Sequence, residues 1–181
     1  MTGHTADALR DFTRRYLESW EQQRGHGPES EALYGVPSPC IVSSGDAVVR
    51  WRPQPFTLAK NLDAVGRALE IRINEQVVAL YTSQFAGDMD AEFMGRPIAL
   101  LQTWSEADFT RVQENLIGHL VMQRRLKQTP TLFVATTASE LEIIAVDNLT
   151  GAVVLEKLGT SIRQPLAGDL PQFLAALRPA I

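Results

Sequence analysis

A single cysteine, Cys40, in 181 residues excludes an internal disulfide and any structural zinc site built on cysteine ligands, and fits a reducing compartment. Long apolar runs are missing too. Stretches such as LLQTW and LFVA are only a few residues long, against the roughly 20 needed to cross a bilayer. The N-terminal MTGHTADALRDFTRRY lacks the basic start and apolar core of a secretory signal, so the expectation is a cytosolic protein. No phosphate-cradling glycine loop, dinucleotide fingerprint or Gly-x-Ser-x-Gly elbow occurs, which removes the commonest enzyme signatures. Internal repeats, low-complexity segments and linkers are absent as well.

What is present is ordinary globular composition, 45% hydrophobic and 21% charged, in a length that suits one domain over residues 1–181. The net charge of −4 is unevenly placed. Between Asn74 and Thr110 stand Glu75, Asp88, Asp90, Glu92, Glu106 and Asp108 against Arg96 alone, a local charge of −5, so the rest of the chain carries +1. That distribution disfavours nucleic acid, which needs a basic stripe, and favours a cationic partner.

Periodicity supplies the scaffold. Leu9, Phe12, Tyr16 and Trp20 recur at helical spacing over residues 5–22, with Thr5 as N-cap. CIVSSGDAVVRW predicts a hairpin turning at Ser44-Gly45-Asp46, between two stiff Pro-x-Pro connectors. NLDAVGRALE predicts a short helix that Gly66 weakens, and Asn74 caps a second one running towards Gly87. RPIALLQTW predicts a buried strand. Ser105 with Asp108 three residues on approximates a capping box for a long helix whose core stripe is Phe109, Val112, Leu116 and Leu120. TLFVATT, LEIIAVD and AVVLEKLG predict an antiparallel meander, and Asp169 caps a last helix. Helices that do not alternate with every strand place the chain in the α+β class, a mainly antiparallel sheet flanked by helices.

The densest chemical feature is QFAGDMDAEF, residues 84–93, with three carboxylates at alternate positions. A calcium loop starting at Asp88 fails, because Phe93 stands where the turn glycine belongs and Ala99 where the bidentate glutamate belongs. If the segment is extended, period-2 geometry puts Asp88, Asp90 and Glu92 on one face, where they repel unless solvated or paired. Cys40 and His119 could form a nucleophile and base, but Cys40 enters a strand as a small hydrophobe and His119 fits a hydrogen-bonded, semi-buried position on the long helix. NLTG is a turn.

LYGVPSPC (33–40), PQPF (53–56), QFAGDM (84–89), LLQTWSE (100–106), RVQENLIGHL (111–120) and PTLF (130–133) together resemble the Syd family, the bacterial SecY-interacting proteins, in the same order along essentially the whole chain. The resemblance implies a SUKH-like fold and no enzymatic activity. It implies a monomer without cofactor, peripheral on the cytoplasmic side of the inner membrane, that restrains abnormal SecY complexes by setting a negatively charged concave groove against SecY's basic cytosolic loops. Within that expectation Asp88 and Glu106 lie in motifs and carry over by position, and Asp108 follows at the helix start. Asp90 and Glu92 lie beyond the motif and rest on local charge. Trp104 is either core or an aromatic anchor in the groove. Two other classes stay open: a carboxylate-dependent metal enzyme, and an immunity protein of the SUKH type binding a basic toxin.

Overall fold

The computed structural model describes residues 2–181. Helix α1 (Thr2–Arg24) buries Leu9, Phe12 and Tyr16, one face of the predicted stripe. It starts earlier than expected, so Thr5 lies a turn inside it and is buried instead of capping it. Strands β1 (Glu29–Ser30), β2 (Ile41–Gly45) and β3 (Val48–Trp51) make a small antiparallel sheet in the order β1-β3-β2. The β2–β3 turn sits on Asp46 and Ala47, both at positive φ, one residue beyond the expected position because Gly45 is still paired with Val48.

A two-residue strand β4 (Gln54–Pro55) leads to α2 (Asp63–Leu69), α3 (Glu75–Thr82) and β5 (Gln84–Phe85), which pairs back with β4. Gly66 is required where it stands: a Cβ there would meet the Ile71 carbonyl oxygen at 2.9 Å as the chain turns off α2. Asn74 caps α3 as predicted, accepting from the Gln76 amide, but the helix ends at Thr82 and the stretch up to Gly87 leaves it as extended chain.

The main sheet has seven antiparallel strands in the order β11-β10-β9-β8-β7-β6-β12, comprising β6 (Met89–Phe93), β7 (Arg96–Leu100), β8 (Thr131–Thr137), β9 (Glu142–Asp147), β10 (Val153–Lys157), β11 (Arg163–Ala167) and the C-terminal β12 (Arg178–Pro179). The predicted meander is its centre. Strand β11, with Pro165 and an exposed, polar pattern, gave no alternation to read, and edge position explains its tolerance of proline. Helix α4 (Glu106–Arg125) interrupts the sheet between β7 and β8 and packs on α2 and β8, while α1 packs on α3 and on α5 (Leu170–Ala176). The Arg15 guanidinium donates to Leu177 O at 2.6 Å and Leu174 O at 3.2 Å, fastening α1 to the end of α5. One apolar core runs from Leu9 to Leu177 through both sheets and all five helices.

Under the second half of α4 lies a polar core. Glu156, 1% exposed, accepts from Thr131 Oγ1 at 2.7 Å and from Gln123 Nε2 at 3.3 Å, with Arg163 Nε at 3.4 Å and His119 Nε2 at 3.7 Å. Gln123 closes the loop by donating to Thr131 Oγ1 and accepting from the Thr131 amide. His119 Nε2 stands 3.1 Å from Thr131 Oγ1, the hydrogen-bonded role expected of it; burial holds its imidazole below the usual pKa against the pull of Glu156.

Two substitutions test this framework. Gly87→Ala sets a methyl group 2.8 Å from the Trp51 indole and is expected to cost about 1–3 kcal/mol in a urea unfolding curve. Glu156→Ala leaves the Arg163 charge and the Thr131 and Gln123 donors without their acceptor, and is expected to cost about 3–5 kcal/mol in the same measurement.

Candidate partner surface

The acidic segment is positioned by close packing just before it. Phe85 bridges Thr103 in parallel, and the Ala86 amide donates to Thr103 O at 2.9 Å, so residues 84–88 lie alongside 101–104. At Gly87 the backbone runs against the face of Trp51, leaving no room for a side chain. Trp51 is itself held by Tyr16, stacked at 6.3 Å, and by Trp104, edge-on at 6.2 Å. Gln84 Nε2 donates to both Thr13 Oγ1 and Gln102 Oε1 at 3.0 Å, locking the segment to α1 and to the chain after β7.

Beyond Gly87 the chain enters β6, whose side chains alternate strictly. Met89, Ala91 and Phe93 are buried while Asp90 and Glu92 are exposed, and Asp88 precedes them in the same phase. The three carboxylates therefore share one face of the sheet, as the spacing predicts for an extended segment.

Asp88 Oδ1 accepts from the Gln102 amide at 2.8 Å. Its carboxyl is exposed to solvent, yet surrounding protein raises its pKa to about 6. Loss of solvation is the main cause; the Gln102 amide opposes it, Asp108 and Asp90 add to it by repulsion, and Arg111 draws it back. Burial raises the Asp90 carboxyl in the same direction.

Asp108, on α4, is near enough to act on Asp88, but it is committed. Its Oδ2 accepts from the Trp104 amide at 2.8 Å, its own amide donates to Ser105 Oγ at 3.1 Å, and its Oδ1 is paired with Arg111 at 2.6 Å. The capping box is thus real, with the carboxylate reaching one residue further back than expected. With 14% of its side chain exposed, Asp108 adds to the field around Asp88 more than to any contact surface.

Glu106 does not join this group. Two residues from Asp108, it is turned by roughly 200° around the helix and faces the loop at Val36–Pro39. Trp104 takes the first of its two expected readings: at 2% exposure it is core, and its Nε1 donates to Val36 O at 3.0 Å. Its indole is apolar surface too large to leave in water with Trp51 beside it, so it cannot anchor a partner directly.

Arg111 and Arg178 are the members that sequence reasoning missed. Arg111 stands three residues after Asp108, a spacing that could have revealed the pair. Arg178 lies opposite Glu92 across the β6–β12 pairing, which no local pattern could have shown. Cys40 is buried, and its thiol is raised by that burial; its polar neighbours are Ser38 and Gln54, whereas those of His119 are Thr131 and Glu156. Among the described residues no three histidine, cysteine or acidic side chains stand close enough together to hold a metal ion. The arrangement offers electrostatic recognition of a cation-bearing surface.

Comparison with known proteins bears on the whole chain. The family model described as Syd protein (SUKH-2) matches residues 6–179. Protein Syd of Erwinia tasmaniensis is 59% identical over 181 residues, all of this chain and 97% of the relative. Protein Syd of Klebsiella pneumoniae is 56% identical over the full length of both chains, and that of Pectobacterium carotovorum 54% over 179 residues. With a family model spanning nearly all of its length and relatives above half identity from end to end, the chain belongs to the Syd family.

Proposed function

We propose that this protein binds SecY by stoichiometric, non-catalytic docking, setting the face of Asp88, Asp90 and Glu92 against basic cytosolic loops of the channel and so restraining abnormal SecY complexes. Residues 1–181 act as one domain, without cofactor, as a monomer held peripherally at the cytoplasmic side of the inner membrane by its partner. Among the described residues no helix is long and apolar enough to cross a membrane. Family membership supports the partner, and the observation that carries the surface is the shared exposed face of Asp88, Asp90 and Glu92, with Asp108 near enough to act on Asp88. Cytosolic loops of inner-membrane proteins are rich in lysine and arginine, which gives such a surface a natural target. Exposed pairs contribute under about 1 kcal/mol each, so the field orients and accelerates docking more than it tightens it.

The pH dependence has a defined sign. A cationic partner favours the ionised form of Asp88, so affinity for detergent-solubilised SecY is expected to fall as pH drops from 7.5 to 5.5, through the pKa of about 6. Affinity is also expected to fall as salt rises. Asp88→Asn removes the pH component, and the pair Asp88→Lys with Asp90→Lys weakens binding at least about tenfold at low salt. Binding that is indifferent to salt and to this charge reversal overturns the electrostatic reading. Selective binding to a basic toxin in place of SecY would favour the immunity role instead.

The same carboxyl has the opposite effect on folding. Its pKa lies above the ordinary 3.8, so the fold favours its protonated form; the stabilisation present below about pH 4 is lost as pH rises through 6. Melting curves are expected to show Asp88→Asn more stable than the parent at pH 7.5, with the difference vanishing near pH 4. An equal or lower melting temperature at pH 7.5 would refute the desolvation argument.

A further inference from the structure

The start of α4 has two flanks, and the Asp88 face lies towards only one. On the other, Val36, Pro37 and Pro39 face Glu106, Ala107 and Thr110 across a cavity of about 700 Å³. Its loop wall is fixed. Ser38 Oγ donates to Trp104 O at 2.7 Å and accepts from the Cys40 amide at 2.9 Å, while Trp104 Nε1 holds Val36 O at 3.0 Å. Two prolines restrict the backbone between these bonds. The notch is therefore preformed, and an occupant meets little ordering cost on the protein side.

Its chemistry is one-sided. Val36 is 41% exposed, both prolines and Ala107 are exposed, and the one acidic side chain on the rim is Glu106. Among the described residues no arginine, lysine or histidine lies within 4 Å of the Glu106 carboxylate, unlike that of Asp108, which Arg111 holds. An exposed carboxylate beside rigid apolar surface matches a segment that presents an aliphatic side chain and, next to it, a lysine or arginine.

We propose that this notch is a second docking site, taking an extended basic-aliphatic segment of the same partner whose other cations lie on the Asp88 face; it rests on the SecY reading above. Trp104 then serves the interface from inside the core, as the residue that positions the notch wall. The two sites divide the work. The acidic face supplies salt-sensitive steering, and the notch supplies an apolar contact that salt does not screen.

The test uses the full chain with detergent-solubilised SecY and, separately, with inverted membrane vesicles. Ala107→Phe fills the notch from an exposed helix position without altering charge, and is expected to weaken binding about tenfold at both 50 mM and 500 mM salt. Glu106→Gln is expected to weaken it about threefold at low salt only. A small aliphatic diazirine side chain at position 107, which leaves the notch open, is expected to give a SecY photo-adduct in vesicles, and the same side chain at Arg10 on α1 none. If Ala107→Phe and Glu106→Gln bind within twofold of the parent and position 107 gives no adduct, while Asp88→Lys with Asp90→Lys still weakens binding, the notch is refuted and the SecY reading stands. If the parent chain itself binds SecY at no salt concentration, both fall.

Discussion

The contact between Trp51 and the backbone at Gly87 decides where the acidic face stands. Trp51 is fully enclosed by Tyr16, Trp104 and the chain at Gly87, which ties α1, the small sheet and both approaches to the main sheet to one indole. An aromatic side chain of this size buries a large apolar area and tolerates no nearby slack, because interiors are packed to crystal-like density. Only a residue without a Cβ permits the chain to pass so close. The direction in which Asp88 leaves that contact is therefore set by core packing, and the alternation of β6 sets Asp90 and Glu92 in turn.

Fixing carboxylates in this way works against the fold. Asp88 is held where protein displaces part of its water, and the Gln102 amide compensates incompletely, so its pKa rises instead of falling. A freely rotating surface aspartate would carry the same charge at no such cost. The difference is that its position is fixed, so an incoming cation meets Asp88, Asp90 and Glu92 already held on one face. Strain of this electrostatic kind, localised on one face of an otherwise well-satisfied core, is what a binding surface looks like before its partner arrives.

Much of the scaffold was legible because its signals are local. The Asn74, Ser105 and Asp169 caps, the stripe of α4 and the central meander each depend on residues within a few positions of one another, and the structure has them all. Thr5 misled because the helix continues N-terminal to it, and a buried threonine inside a helix has the same sequence context as a cap. Strands β1, β4, β5 and β12 are two residues each and exist only through pairing with distant chain, so no periodicity could announce them. The site divides along the same line. The shared face of Asp88, Asp90 and Glu92 follows from strand geometry, whereas the separation of Glu106 from Asp108 follows from helix rotation together with the unforeseen position of the Val36–Pro39 loop.

Helix α4 connects these observations, because its orientation fixes both of its flanks at once. At its N-terminal end Asp108 binds the Trp104 amide and so aligns the first turn with the aromatic core. Further along, Gln123 and His119 engage Thr131 and Glu156 on the sheet, a polar contact that specifies one rotation of the helix about its axis, where an apolar stripe alone would allow several. Arg124, donating to Leu69 O, holds the opposite side to α2. A rotation by one residue, about 100°, would turn Asp108 and Arg111 away from Asp88 and swing Glu106 away from the loop. The buried Glu156 network, towards the other end of the same helix, thus helps to hold the rotation on which both flanks depend.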